Sequence, residues 1–113
     1  MLLKGERHTQ LTVALPNEPD ISVTLTQRQG ELKTVGVGAL VWEGALVLAQ
    51  HVSRLPRAKL ADARVVELGA GLGLVGLLAG KRGARVTLTD IAALLPSLQL
   101  NLDANQCAPD TPA

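Results

Sequence analysis

The chain has 113 residues, 47% of them hydrophobic and 19% charged, with a formal net charge of +1. That length is one domain or part of one. A balance of 11 basic against 10 acidic residues, with one Trp and neither Phe nor Tyr, argues against a nucleic-acid binder, which would need phosphate contacts or stacking platforms. The single Cys107 excludes an internal disulfide framework and a Cys-based structural zinc site. No run approaches the roughly 18–20 apolar residues of a membrane span, and Met1–His8 turns polar too soon for a signal-peptide core. These features predict a protein of the cytoplasm, with the nucleus as the other compartment, that does not engage a membrane.

Leu11, Val13 and Leu15 alternate with polar residues, as do Ile21, Val23 and Leu25. A period of two marks half-buried strands, and Pro16-Asn17-Glu18-Pro19-Asp20 between them is turn chemistry. The spacing predicts a β-hairpin, with Gln27 to Thr34 as a polar connector. From Val41 to Leu55 the apolar residues Val41, Ala45, Leu48, Val52 and Leu55 recur at three and four, the repeat of an amphipathic helix, which Pro56 stops. Arg57 to Ala63 reads as a basic linker and Arg64–Leu68 as a buried strand. A glycine run then opens a helix over Leu74–Arg82, with Leu74, Leu77 and Leu78 on one face and Gly83 as a left-handed cap. Arg85–Asp90 is a second strand, Pro96–Gln106 a last helix, and Ala108–Ala113 a frayed tail. The order is hairpin, helix, then β-α-β-α, an α/β pattern with a parallel pair of strands. Residues 1–35 are expected to form the hairpin and connector, and residues 36–113 the α/β unit.

The chemistry concentrates in Val65–Asp90. A strand ends in glycines, the glycines open a helix, and a second strand ends in an acid. Glycines admit a ligand close to the backbone, and the helix start offers N–H groups. Asp90 lies about 20 residues beyond the start of the glycine run, where an acid accepts both hydrogens of a ribose diol. This arrangement predicts a nucleotide site. Gly71-Leu72-Gly73-Leu74-Val75-Gly76 fits the dinucleotide fingerprint, so an NAD site is one alternative. Glu67 points elsewhere. A carboxylate in an apolar strand is costly unless paired or hydrogen-bonded, and a pyrophosphate, itself an anion, gives it no purpose. A cofactor with a positive amino group or sulfonium does, and S-adenosylmethionine has both. The plain alternative for Glu67 is a partly exposed strand end.

Glu67-Leu68-Gly69-Ala70-Gly71-Leu72-Gly73 resembles motif I of the class I, seven-β-strand S-adenosylmethionine-dependent methyltransferases. Val41-Trp42-Glu43-Gly44-Ala45-Leu46-Val47-Leu48-Ala49 resembles the V-W-D-A-A-x-x-L segment of one branch, the protein-lysine methyltransferases called methyltransferase family 16. Leu94-Leu95-Pro96 through Asn101 and Asn105 is similar to that branch's stretch ending in N-x-x-x-N. The resemblance implies a Rossmann-like methyltransferase fold, represented here by its N-terminal, cofactor-binding half. It implies S-adenosylmethionine as cofactor and a protein lysine as substrate. By the same resemblance Glu67, Gly69, Ala70, Gly71 and Gly73 line the cofactor, Asp90 meets the ribose hydroxyls, and Trp42 stands at the pocket wall. Glu43 and Gly44 replace the branch's usual Asp and Ala.

The family's substrate-side motifs after the fourth strand have no counterpart, so the expectation is a partial chain with one edge of the Arg64–Leu68 strand left open. No residue is assigned to alignment or deprotonation of a lysine. Two other outcomes stay open, an NAD-binding oxidoreductase fragment and an inactive methyltransferase-like binding module. Oligomeric state is not legible. His8 and His51 lack metal-like spacing, Cys107 lacks an activating partner, and Arg54, Arg57 and Lys59 read as a solvated linker. Trp42 as a core residue, and Asn101 and Asn105 as helix-end polar groups, are the plain alternatives to functional roles.

Overall fold

The computed structural model describes residues 8–14, 18, 20–28 and 43–105. The two alternating segments form an antiparallel hairpin, β1 (His8–Ala14) and β2 (Ser22–Arg28). Its register sets Leu11 opposite Leu25 and Val13 opposite Val23, so the apolar residues share a face. Val23 and Leu25 are buried in the core. β2 runs further than polarity suggests: Gln27 and Arg28, expected in the connector, pair with Thr9 and His8. Ladder bonds come from the backbone and tolerate polar side chains.

α1 (Glu43–Ser53) lies within the helix expected over 41–55; Val41 and Trp42 lie outside the described residues. Its inward stripe is Ala45, Ala49, Val52 and Ser53, while Leu46, Val47 and Leu48 are exposed. Placing Leu48 in the buried stripe is therefore corrected. The helix packs on α3, and its buried positions are the small Ala49 and Ser53. The expected linker also needs correction, because Arg57–Leu60 folds as a single turn, α2, started by Pro56 and anchored by buried Leu60.

β3 (Arg64–Glu67) and β4 (Arg85–Leu88) are the parallel pair, in register from Arg64 opposite Arg85 to Glu67 opposite Leu88. The crossover is α3 (Leu74–Lys81), apolar almost all round and therefore buried. It contacts β3, β4, α1 and β2. Gly83 closes the α3 turn at φ +100°, the left-handed cap expected of it. Arg82 is the C-cap of α3. It is buried, donates to the Val52 carbonyl at 2.8 Å, and pairs with Glu18 of the hairpin loop at 3.1 Å.

After β4 a 3₁₀ turn (Ala92–Leu94) leads into α4 (Leu95–Asn105), whose buried side chains are Ser97, Leu98, Asn101 and Asn105. The core joins Val23 and Leu25 of the hairpin to Leu72, Leu77, Leu78, Val86, Leu88 and Leu98. The hairpin is a sheet of its own, resting on α3 and α4. Among the described residues β4 is the only strand paired with β3, and neither hairpin strand pairs with its other edge. Val66 and, just after β3, Leu68 are 63% and 82% exposed, so the strand expected to be buried over Arg64–Leu68 is covered on one face only. No helix among the described residues is long and apolar enough to cross a membrane.

Candidate cofactor site at the end of the parallel strands

The parallel ladder continues beyond its last residues and assembles the site. Thr89 N–H donates to the Glu67 carbonyl at 3.0 Å, and Ala70 N–H donates to the Thr89 carbonyl at 2.9 Å. The Thr89 hydroxyl donates to the same Glu67 carbonyl at 2.7 Å. These bonds draw the end of β4 against the glycine turn that follows β3.

In that turn Gly69, Gly71 and Gly73 have φ of +66°, +58° and +93°, the left-handed region that side chains with a Cβ rarely adopt. Gly73 is the N-cap of α3 and donates to the Ala70 carbonyl at 2.9 Å. Gly76 is needed for a different reason. A Cβ there would stand 2.1 Å from Leu88 Cδ2 and 2.9 Å from Glu67 Oε1. The last glycine of the dinucleotide-like pattern is thus explained by the close approach of α3 to its strands.

Asp90 closes the corner. Its Oδ2 accepts the Gly71 N–H at 2.7 Å and its Oδ1 accepts the Ile91 N–H at 2.7 Å. A carboxylate oxygen with one bond keeps a second lone pair, so Asp90 retains acceptor capacity for a diol. Glu67 is half-buried, and its Oε1 accepts the Gly76 N–H at 3.1 Å. Burial pushes its carboxyl above the ordinary range, the Gly76 N–H pulls it back, and the charge of Asp90 adds to the rise. The strand-end alternative for Glu67 is answered in part, since this carboxylate anchors the first turn of α3.

The structure therefore brings together Glu67, Gly69, Ala70, Gly71, Gly73 and Asp90, six of the seven site residues expected from the sequence. The seventh, Trp42, lies outside the described residues, as does Cys107. His51 is exposed on α1. Among the described residues no three His, Cys, Asp or Glu side chains converge as a metal site.

Asn101 and Asn105 correct an expectation. Asn105 does end α4, but neither side chain is a solvated helix-end group: both are buried and hold β2 against α4. Asn101 also donates to the Leu72 carbonyl, inside the glycine turn, at 3.0 Å. A signal for this was present in the sequence. Asn101 follows Leu98 by three residues, which puts an amide on the apolar face of the helix, and a buried amide needs partners.

Comparison with known proteins settles the family. A family profile described as lysine methyltransferase matches residues 17–112. The chain belongs to the lysine methyltransferase family. It is 42% identical over 82 residues to the mouse (Mus musculus) protein N-lysine methyltransferase METTL21A, covering 73% of this chain and 37% of that protein. It is 39% identical over 83 residues to mouse EEF1A lysine methyltransferase 3, covering 74% of this chain and 34% of the relative. The chain thus spans about a third of the length of these curated relatives. Among solved structures, it superimposes on the T. thermophilus 16S rRNA N2 G1207 methyltransferase RsmC, in complex with AdoMet and guanosine, with a TM-score of 0.66 and 24% identity. That match covers 89% of this chain and 26% of RsmC, and it places the fold in the Rossmann-like methyltransferase class.

Proposed function

We propose that the protein is an S-adenosylmethionine-dependent protein-lysine N-methyltransferase and that the corner between β3 and β4 holds its cofactor. In a chain of the lysine methyltransferase family, the observation that carries this reading is the 2.7 Å bond from Gly71 N–H to Asp90. It sets a diol acceptor beside a backbone turn made of glycines, as a nucleoside requires.

The residues present fit that group. Asp90 accepts the ribose hydroxyls with the lone pairs its two backbone bonds leave over. Gly69, Ala70, Gly71 and Gly73 admit the ligand close to the main chain. Glu67, desolvated and beside a second carboxylate, is stabilised in its charged form by a ligand with a positive amino or sulfonium group. A pyrophosphate would add a third anion to the corner, which disfavours NAD. Trp42 is the pocket wall in this proposal. When bound, the cofactor supplies a methyl group on a sulfonium, open to in-line attack by a neutral amine. The role of this chain is to bind and orient that cofactor. No described residue is assigned to take the proton from lysine.

The partner is a protein presenting a lysine, and the compartment is the cytoplasm or nucleus, in line with a single cysteine and a near-neutral charge. The test is calorimetric titration of the purified chain with S-adenosylhomocysteine and, separately, NAD. Binding of the first and not the second is expected; a preference for NAD would overturn the reading. A radiolabelled methyl-transfer assay on lysate protein then separates an active enzyme from a binding module.

A further inference from the structure

The two polar atoms of the Asn101 side chain serve two distant parts of the chain. Its Oδ1 accepts the Thr26 N–H of β2 at 2.9 Å, and its Nδ2 donates to the Leu72 carbonyl at 3.0 Å. The side chain is wholly buried. Leu72 sits between Gly71, whose N–H binds Asp90, and Gly73, which opens α3. Asn105, one helical turn on, is also buried, and among the described residues its side chain bonds to Thr24 and to the Asn101 carbonyl. Both amides hold β2. Asn101 alone of the two reaches the glycine turn.

The Leu72 carbonyl and the Gly73 N–H belong to one rigid peptide plane. Asn101 holds the carbonyl end of that plane, while the Gly73 N–H bonds to the Ala70 carbonyl. Glycine-rich backbone has the most conformational freedom to lose, so a turn without this tether must be ordered by its ligand at a cost in affinity. We propose that Asn101 is a positioning residue for the cofactor, locking the glycine turn to the β1–β2 hairpin without touching the ligand. The proposal rests on the reading of that turn as the cofactor site.

The test compares the 113-residue chain with its Asn101→Asp and Asn105→Asp variants. Each new carboxyl keeps the acceptor for β2 and loses the amide donor. Asn101→Asp is expected to weaken S-adenosylhomocysteine binding about tenfold or more, and Asn105→Asp by about twofold or less, even where their melting temperatures fall equally. In ligand-free protein the Gly71 and Gly73 amides should exchange faster in Asn101→Asp alone. If Asn101→Asp does not fold, Asn101→Ser, smaller and neutral, replaces it. In the unaltered chain, adding S-adenosylhomocysteine should slow exchange of the Thr26 amide more than that of Thr24. Equal affinity losses in the two variants, or unchanged exchange in the turn, would overturn the proposal. Failure of the unaltered chain to bind S-adenosylhomocysteine overturns the cofactor reading instead, and ligand-free exchange still decides what Asn101 holds.

Discussion

Asp90 and Gly71 are 19 residues apart in sequence and 2.7 Å apart in space, carboxylate oxygen to backbone nitrogen. The bond links the end of β4 to the turn after β3 and orients the acid that the proposed function assigns to the ribose. Replacing Asp90 with Ala leaves the Gly71 and Ile91 N–H groups without their acceptor. The expected cost is about 1–3 kcal/mol of stability, read by urea denaturation, together with loss of S-adenosylhomocysteine binding in calorimetry.

Two glycines predict opposite outcomes for the same substitution. At Gly76 a methyl group would collide with Leu88, Glu67 and Val86, the first at 2.1 Å. Gly76→Ala should therefore destabilise by about 1–3 kcal/mol or more, despite the higher helix propensity of Ala. At Gly44, in the first turn of α1, nothing lies within 4 Å of an added Cβ. Gly44→Ala should stabilise by up to about 1 kcal/mol. Thermal melts of the two variants decide both, and equal effects would contradict the packing described for α3.

Glu67 makes stability depend on pH. Its carboxyl is raised in the folded state, first by burial and also by the charge of Asp90, against the pull of the Gly76 N–H. A group raised on folding contributes stability that is fully present below its unfolded value and is lost as pH rises through its folded value. From the ordinary Glu range upward, the Glu67 contribution should therefore decline. Glu67→Gln keeps an acceptor for Gly76 and removes the charge. Denaturation of both proteins from pH 4 to pH 7 should show the variant gaining on the unaltered chain as pH increases, while its cofactor affinity falls.

The free edge of β3 predicts association. Val66 in β3 and Leu68 just after it are exposed, and among the described residues no strand pairs with the other edge of β3. Unpaired apolar edges recruit other strands. The melting temperature of the purified chain should depend on concentration, and sedimentation should show species larger than a monomer. Val66→Lys should suppress both. A cooperative, concentration-independent melt of a monomer would refute the expectation.

Most of the proposed cofactor corner was readable along the chain because its parts are local. Residues 64–74 carry strand, turn and helix start in sequence, and the left-handed glycines stand where the spacing put them. The acid came with the second strand. What the pattern could not show was which polar groups would be buried. Arg82, at the end of α3, pairs with Glu18, 64 residues away. Asn101 and Asn105 meet strand residues 75 and 81 positions distant. In the α1 stripe Ala45, Val52 and Leu55 pack inward as expected, but Leu48 does not; the buried positions are taken by Ala49 and Ser53, which carry a weaker hydrophobic signal.

Alternation, helical spacing and glycine position act over a few residues, and they determined the hairpin, α3, the glycine turn and the acid after β4. Which face of α1 is covered, how the hairpin seats, and what Asn101 holds were decided by contacts between residues many positions apart. Backbone geometry is set by neighbours along the chain. A buried polar side chain is set by whichever donor or acceptor the assembled fold brings within reach.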